Sequence, residues 1–103
     1  MKNIGTVVYT KWIDPGTLKA RWSHSEAGEG VGDAYGGPEV GFTGEYRIVY
    51  QDDKGNKSPE MLLKISEAET GFLLEWYDGK KLVSFGQGMI VGEQLIAGWK
   101  DVE

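Results

Sequence analysis

The segment Phe42–Tyr50, FTGEYRIVY, decides the fold because apolar and charged residues alternate along it. Tyr46, Ile48 and Tyr50 share one parity, and charged residues flank Tyr46 on both sides. Successive side chains of a β-strand point to opposite faces of the sheet. The alternation therefore predicts a strand with one apolar face.

Four more strand-length segments follow this one, as far as Trp99, and turn-forming residues separate them. Asp52–Asn56 and Gly92-Glu93 are such breaks, and Asp78-Gly79 predicts a hairpin with a type I′ turn. Together the five segments predict an antiparallel meander. Its inward residues after Tyr50 are predicted to be Met61, Leu63, Ile65, Phe72, Leu74, Trp76, Val83, Phe85, Met89, Val91, Leu95, Ala97 and Trp99.

Two segments before the meander predict an N-terminal hairpin. They run from Gly5 to Ile13 and from Thr17 to Ser23, and Asp14-Pro15-Gly16 forms the turn between them. The parity that avoids Lys11 in the first segment and the charged residues in the second is taken as inward. That parity contains Val8, Thr10, Trp12, Leu18, Ala20 and Trp22.

Two further segments have two interpretations each. Gly28, Gly30 and Gly32 fit a strand with one bare face, which suits close backbone approach, or else a flexible loop at a barrel mouth. Residues 59–69 alternate like a strand, but Ser58 and Pro59 also resemble a helix start. We favour the strand for residues 59–69, because a helix there would interrupt the meander.

These segments add up to an all-β protein with about eight strands in one domain, residues 1–103. Antiparallel strands with short turns predict an up-and-down barrel, since closure removes exposed sheet edges. The interior of an eight-stranded barrel is either filled by side chains or holds one small ligand. Whether the interior is filled or holds a ligand decides the function.

Composition narrows the possible partners and locations. The chain has no cysteine, a formal charge of −5 and a sequence pI near 4.9. The acidic balance and scattered basic residues argue against nucleic-acid binding. No apolar run is long enough for a signal peptide or a membrane helix, so we expect a cytoplasmic protein without membrane attachment.

Residues for catalysis or metal binding are sparse. His24 is the only histidine, and its neighbours Ser23 and Ser25 would point to the opposite face of a continuing strand. Asp52 and Asn56 could belong to a calcium-type loop, but Lys54 lies where an oxygen ligand is needed. We therefore expect no catalysis, no metal and no cofactor.

The barrel-forming residues resemble a known group of proteins. Gly44-x-Tyr46-x-Ile48-x-Tyr50, Leu74-x-Trp76, Gly86-x-Gly88-Met89 and Leu95-x-x-Gly98-Trp99 are similar to small bacterial barrels of the calycin group, which includes lipocalins, avidins and fatty-acid-binding proteins. The resemblance implies an eight-to-ten-stranded barrel, often with an apolar ligand inside and no catalysis. The lipocalin Gly-x-Trp motif is missing, because Gly5 precedes Thr6-Val7.

The inward parity is rich in aromatic residues, which predicts a ligand site with stacking walls. The alternative is that the same rings fill the barrel completely. The expected ligand is a small apolar or aromatic molecule. The candidate binding residues are Trp12, Trp22, Tyr46, Tyr50, Trp76, Phe85 and Trp99.

Apolar residues at positions predicted to face outward allow a different function. An exposed patch of this kind predicts a homodimer or another protein partner, unless the N-terminal segment covers it. A protein of this type would be an interaction or regulatory module with a solid core. The patch residues are Leu73, Tyr77, Leu82, Ile90 and Ile96.

Overall fold

The computed structural model describes residues 3–102 and contains eight β-strands. Each strand pairs antiparallel with the next along the chain, and β8 pairs with β1, which closes the barrel. The predicted all-β up-and-down barrel is confirmed. Within residues 3–102 there is no helix with the length and apolarity needed to span a membrane. The strands are β1 (Ile4–Lys11), β2 (Leu18–His24), β3 (Gly28–Tyr35), β4 (Gly44–Asp52), β5 (Met61–Glu67), β6 (Phe72–Asp78), β7 (Lys81–Val91) and β8 (Gln94–Asp101).

The segments with two interpretations are both strands. β3 contains the alternating glycines, and β5 covers most of residues 59–69, so the loop and helix alternatives are wrong. The hairpin near Asp78 is confirmed, with Gly79 and Lys80 between its strands. Its turn geometry differs from the prediction, because φ is positive at Gly79 but not at Lys80, as in a type II′ turn.

A β-bulge in β7 reverses the parity of that strand. Trp76 pairs with Ser84 and Tyr77 pairs with Leu82, so Val83 is an extra residue between the two pairs. Beyond the bulge, the inward positions are Ser84, Gly86 and Gly88. The predicted inward orientation of Phe85, Met89 and Val91 is therefore wrong, and these side chains are exposed.

The first strand also faces the core with the other parity. Val7 and Tyr9 are buried, whereas Trp12 lies beyond the end of β1 and is 51% exposed. Both parities of this strand contain apolar residues, and a shift of one position exchanges the two faces completely. The predicted inward orientation of Trp12 is wrong. Its ring lies 5.7 Å from the Lys19 ammonium group instead.

One end of the barrel is filled, and we call it the closed end. The loop between β3 and β4 crosses it, with Phe42 buried beneath. The Lys11 Nζ donates hydrogen bonds of 2.8 Å to the carbonyl oxygens of Pro38 and Gly41, which holds the loop in place. The interior here is packed with almost fully buried side chains: Leu18, Tyr46, Ile48, Leu63, Ile65, Leu74 and Leu95.

Candidate functional site

The opposite end of the barrel, which we call the open end, contains a cavity of about 400 Å³. It lies beside the loops that join β2 to β3, β4 to β5 and β6 to β7, next to the end of β8. This volume is within the range of small-molecule sites. The cavity is lined by Val7, Trp22, Ala27, Tyr50, Ser58, Met61, Trp76, Val83, Ser84, Trp99 and Asp101.

Four of the seven predicted binding residues converge on this cavity: Trp22, Tyr50, Trp76 and Trp99. Tyr46 also points inward, but it lies in the closed end, where its hydroxyl donates to the Phe42 carbonyl at 2.9 Å. Trp12 and Phe85 lie outside the barrel, for the reasons of parity given above. The structure thus brings together the aromatic residues of one end only.

Three of the rings lie close against glycines on neighbouring strands, in the space that a side chain would otherwise fill. A Cβ atom built on Gly5 would lie 2.3 Å from the Trp99 ring, and one built on Gly32 would lie 2.8 Å from the Tyr50 ring. A Cβ on Gly30 would come within 2.8 Å of Trp22 and closer still to the β4 backbone. Such distances are far below van der Waals contact. The bare inner face of β3 therefore provides room for rings against the wall.

Tyr50 is the centre of a partly buried hydrogen-bond network that borders the cavity. Its hydroxyl accepts from the indole N–H of Trp76 at 2.6 Å and lies 2.5 Å from the hydroxyl of Tyr9. Tyr9 is fully buried, and its bond with Tyr50, in which either hydroxyl can be the donor, satisfies this polar group.

The dry surroundings perturb both of these phenols. Burial raises the pKa of Tyr9 well above its usual value of 10, and the neighbouring Tyr50 raises it further. Burial also raises the pKa of Tyr50, although its bonds with Tyr9 and Trp76 oppose the shift. Both hydroxyls are therefore neutral at physiological pH, and the network supplies hydrogen bonds without charge.

A polar cluster lies where β2, β7 and β8 meet the open end. The Ser84 hydroxyl donates to Asp101 Oδ1 at 2.6 Å, and His24 Nε2 lies 3.5 Å from Asp101 Oδ2. The His24 ring stacks on Trp99, with centroids 4.9 Å apart. Its Nδ1 accepts hydrogen bonds from the backbone N–H groups of Glu26 and Ala27, both at 3.0 Å. Those bonds place the imidazole proton on Nε2.

This cluster does not have the geometry of a nucleophilic triad. Ser84 donates to the carboxylate of Asp101 and has no hydrogen bond to the histidine, so the imidazole is not placed to take its proton. Ser23 and Ser25 do not contact the His24 ring through any observed hydrogen bond; they bond to Thr6 and to the Ile4 backbone. Within residues 3–102, no group of three or more His, Cys, Asp or Glu side chains is arranged to hold a metal ion.

Sequence reasoning missed Tyr9, Ser84 and Asp101 at this site. Tyr9 lies on the parity of β1 that is predicted to face outward, and Ser84 follows a bulge that alternation cannot reveal. Asp101 carries a signal in the sequence, because it continues the inward parity of Ala97 and Trp99 by one more step. The predicted last strand ends at Trp99 and therefore leaves Asp101 out.

Comparison of the chain with protein-family models, with curated proteins and with solved structures finds no match. Any statement about function must therefore be argued from the geometry of the open end.

Proposed function

We propose that the protein binds a small apolar or aromatic molecule at the open end of the barrel and does not act on it chemically. The observation that carries this proposal is the cavity of about 400 Å³, whose walls include three indole rings and a phenol. A cavity with aromatic walls and a few polar groups has the usual composition of a small-molecule site.

Rigid walls support the same proposal. The indole N–H of Trp22 donates to the Val31 carbonyl at 3.1 Å, and that of Trp76 donates to Tyr50. Trp99 lies between His24 and Trp76, with ring centroids 4.9 Å and 6.1 Å away. Because these rings are held by bonds and stacking, a ligand would meet a surface that is already arranged, which lowers the entropy lost on binding.

Titration with the neutral dye N-phenyl-1-naphthylamine tests this function. We expect saturable quenching of tryptophan emission together with a rise in dye emission. Trp76→Ala should weaken the response, because it removes one wall and the donor to Tyr50. Absence of saturable binding by this dye and by a diverse panel of apolar and aromatic compounds would contradict the proposal.

A pair of matched variants locates the binding site without disturbing the core. Ala27 lines the open end, whereas Ala68 is exposed in the β5–β6 connection at the closed end. Ala27→Phe should place a ring at the mouth and reduce dye affinity, while Ala68→Phe should leave it unchanged. Equal effects of the two variants would show that the dye binds elsewhere.

A second candidate function is self-association through the outer wall. The bulge in β7 leaves Phe85 and Met89 42% and 61% exposed, and Leu73 on β6 is 39% exposed. Exposed apolar side chains on adjoining strands favour a homodimer. Light scattering should then give twice the monomer mass of 11.4 kDa, and Met89→Lys should lower it. A monomer at high concentration removes this candidate.

Ancestry and location remain proposals as well. The closed eight-stranded antiparallel topology is compatible with a calycin-like barrel, and this supports a place in that group. A cysteine-free chain suits the reducing cytoplasm, which is the setting we propose.

A further inference from the structure

We propose that the molecule held at the open end carries a positive charge, and that Asp101 is the residue that recognises this charge. The inference rests on the binding function proposed above and names the chemical class of its ligand. That class is a small aromatic or apolar molecule with a protonated or quaternary amine.

The first support is the aromatic character of the cavity walls. The faces of indole and phenol rings attract cations, and tryptophan does so most strongly. Trp22 and Trp76 already donate their indole protons to Val31 and Tyr50, so they offer the cavity their rings, not a polar N–H. Trp76 and Trp99 are inclined to one another by 51°, which forms a corner with two aromatic sides.

The second support is the charge of the lining residues. Among residues 3–102, Asp101 is the only Asp, Glu, Lys or Arg that lines the cavity. Its side chain is 42% exposed, so its charge is hydrated at the rim and available to a ligand. A carboxylate at this place attracts an ammonium group and repels an anionic ligand such as a fatty acid.

The third support is that the surrounding residues hold the carboxylate in position. Oδ1 accepts from Ser84, and the backbone of Asp101 is paired with the side-chain amide of Asn3 through both N–H and C=O. The His24 Nε2 lies 3.5 Å from Oδ2, and two backbone N–H donors to Nδ1 fix the orientation of the ring.

A pair of probes with the same shape and different charge tests the inference. Benzyltrimethylammonium is cationic, and neopentylbenzene is its uncharged carbon isostere. Each is titrated against tryptophan emission in the same co-solvent, using the wild-type protein, Asp101→Asn and Glu45→Gln. The asparagine keeps an acceptor for Ser84, and Glu45 lies exposed on the outer face of β4, where its substitution removes an equal charge.

The wild-type protein should bind the ammonium about tenfold more tightly than the isostere, mainly because the Asp101 carboxylate attracts the positive charge. Asp101→Asn should abolish most of this preference, and Glu45→Gln should keep it. Added salt should weaken binding of the ammonium alone in the wild-type protein, which checks the role of charge without any substitution.

The outcomes separate this inference from the binding function itself. Saturable binding of neopentylbenzene with equal or weaker binding of the ammonium overturns the charge preference but leaves the binding function intact. A preference that survives Asp101→Asn overturns the role of Asp101. If neither probe binds, this inference falls, and the dye titration above decides whether the binding function falls with it.

Discussion

The two ends of this barrel are built from the same alternation of residues, yet one is filled and the other is open. At the closed end, aliphatic side chains such as Leu63, Ile65 and Leu74 meet on the axis and exclude water. At the open end, large rings lie against the wall, where glycines such as Gly5 and Gly32 make room for them. The difference shows that larger side chains do not by themselves fill a barrel. At the open end, glycines on the neighbouring strands let the rings pack sideways, and the centre stays free.

The largest contrast should come from truncating one core residue at each end. Leu63→Ala removes atoms from tight packing and should lower the free energy of unfolding by about 2–5 kcal/mol. Met61 borders the cavity, so its neighbours are already only partly packed against it. Because the cost of truncation grows with the packing that is lost, we expect Met61→Ala to lower the free energy of unfolding by roughly half as much or less. Urea denaturation measures both. Dye affinity should change only in Met61→Ala, and equal losses of stability would mean that both ends are packed alike.

The glycines provide the next contrast. Gly5→Ala forces the Trp99 ring away from the wall and should cost about 1–3 kcal/mol, as overpacking does. The displaced ring should also reduce dye binding. Gly98 is the matched control, because a Cβ there has no atom closer than 4.0 Å. Gly98→Ala should change stability by less than about 0.5 kcal/mol. A Gly5→Ala protein with unchanged stability and affinity would show that the ring does not need the bare position.

Strand count, closure and most inward positions follow from the sequence, because alternation directly reports which side chains share a face. The polar part of the site does not follow so easily. The bulge adds one residue, Val83, to β7, and nothing in the sequence pattern marks it. The inward parity from Ser84 onward therefore cannot be predicted from alternation. In β1, Val7 and Tyr9 compete with Val8 and Trp12 as apolar pairs, and only the register with β2 and β8 selects between them. The pairing of β1 with its two neighbours in the closed barrel therefore selects the inward parity, which the local sequence pattern leaves undecided.

Alternation also cannot predict that one end of the barrel is hollow. An inward tryptophan is equally compatible with a filled and an open barrel until the residue beside it on the next strand is known. Trp22 pairs with Gly30 and Tyr50 pairs with Gly32, so each ring has a bare neighbour. Glycine neighbours alone do not decide the outcome, because at the closed end Phe72 pairs with Gly88 and the Tyr46 ring lies against Gly37. That end is filled by aliphatic side chains and by Phe42.

Alkaline pH provides the last contrast, and it tests whether both ends are dry. Burial raises the pKa of Tyr46 at the closed end to about 12, and it raises the pKa of Tyr50 at the open end as well. The folded chain therefore holds these protons to higher pH than the unfolded chain, whose tyrosines ionise near 10. The stabilisation that these two neutral phenols contribute is complete below pH 10. It is lost as the pH rises toward their pKa values in the folded protein, by up to about 1.4 kcal/mol per pH unit for each phenol.

Tyrosinate absorbance at 295 nm, followed with circular dichroism, checks this expectation. Tyr46→Phe and Tyr50→Phe should each remove one phenol that ionises only above the normal range. If Tyr50 titrates near 10 in the folded protein while Tyr46 does not, water fills the open end, and the cavity is a wet cleft instead of a dry site.

A crystal structure under xenon pressure tests the central claim most directly, since xenon enters apolar cavities and does not enter close-packed cores. We predict xenon density between Trp22, Trp76 and Trp99, with none among Leu63, Ile65 and Leu74. Indole rings that meet across the barrel axis, with no gas at the open end, would contradict the account.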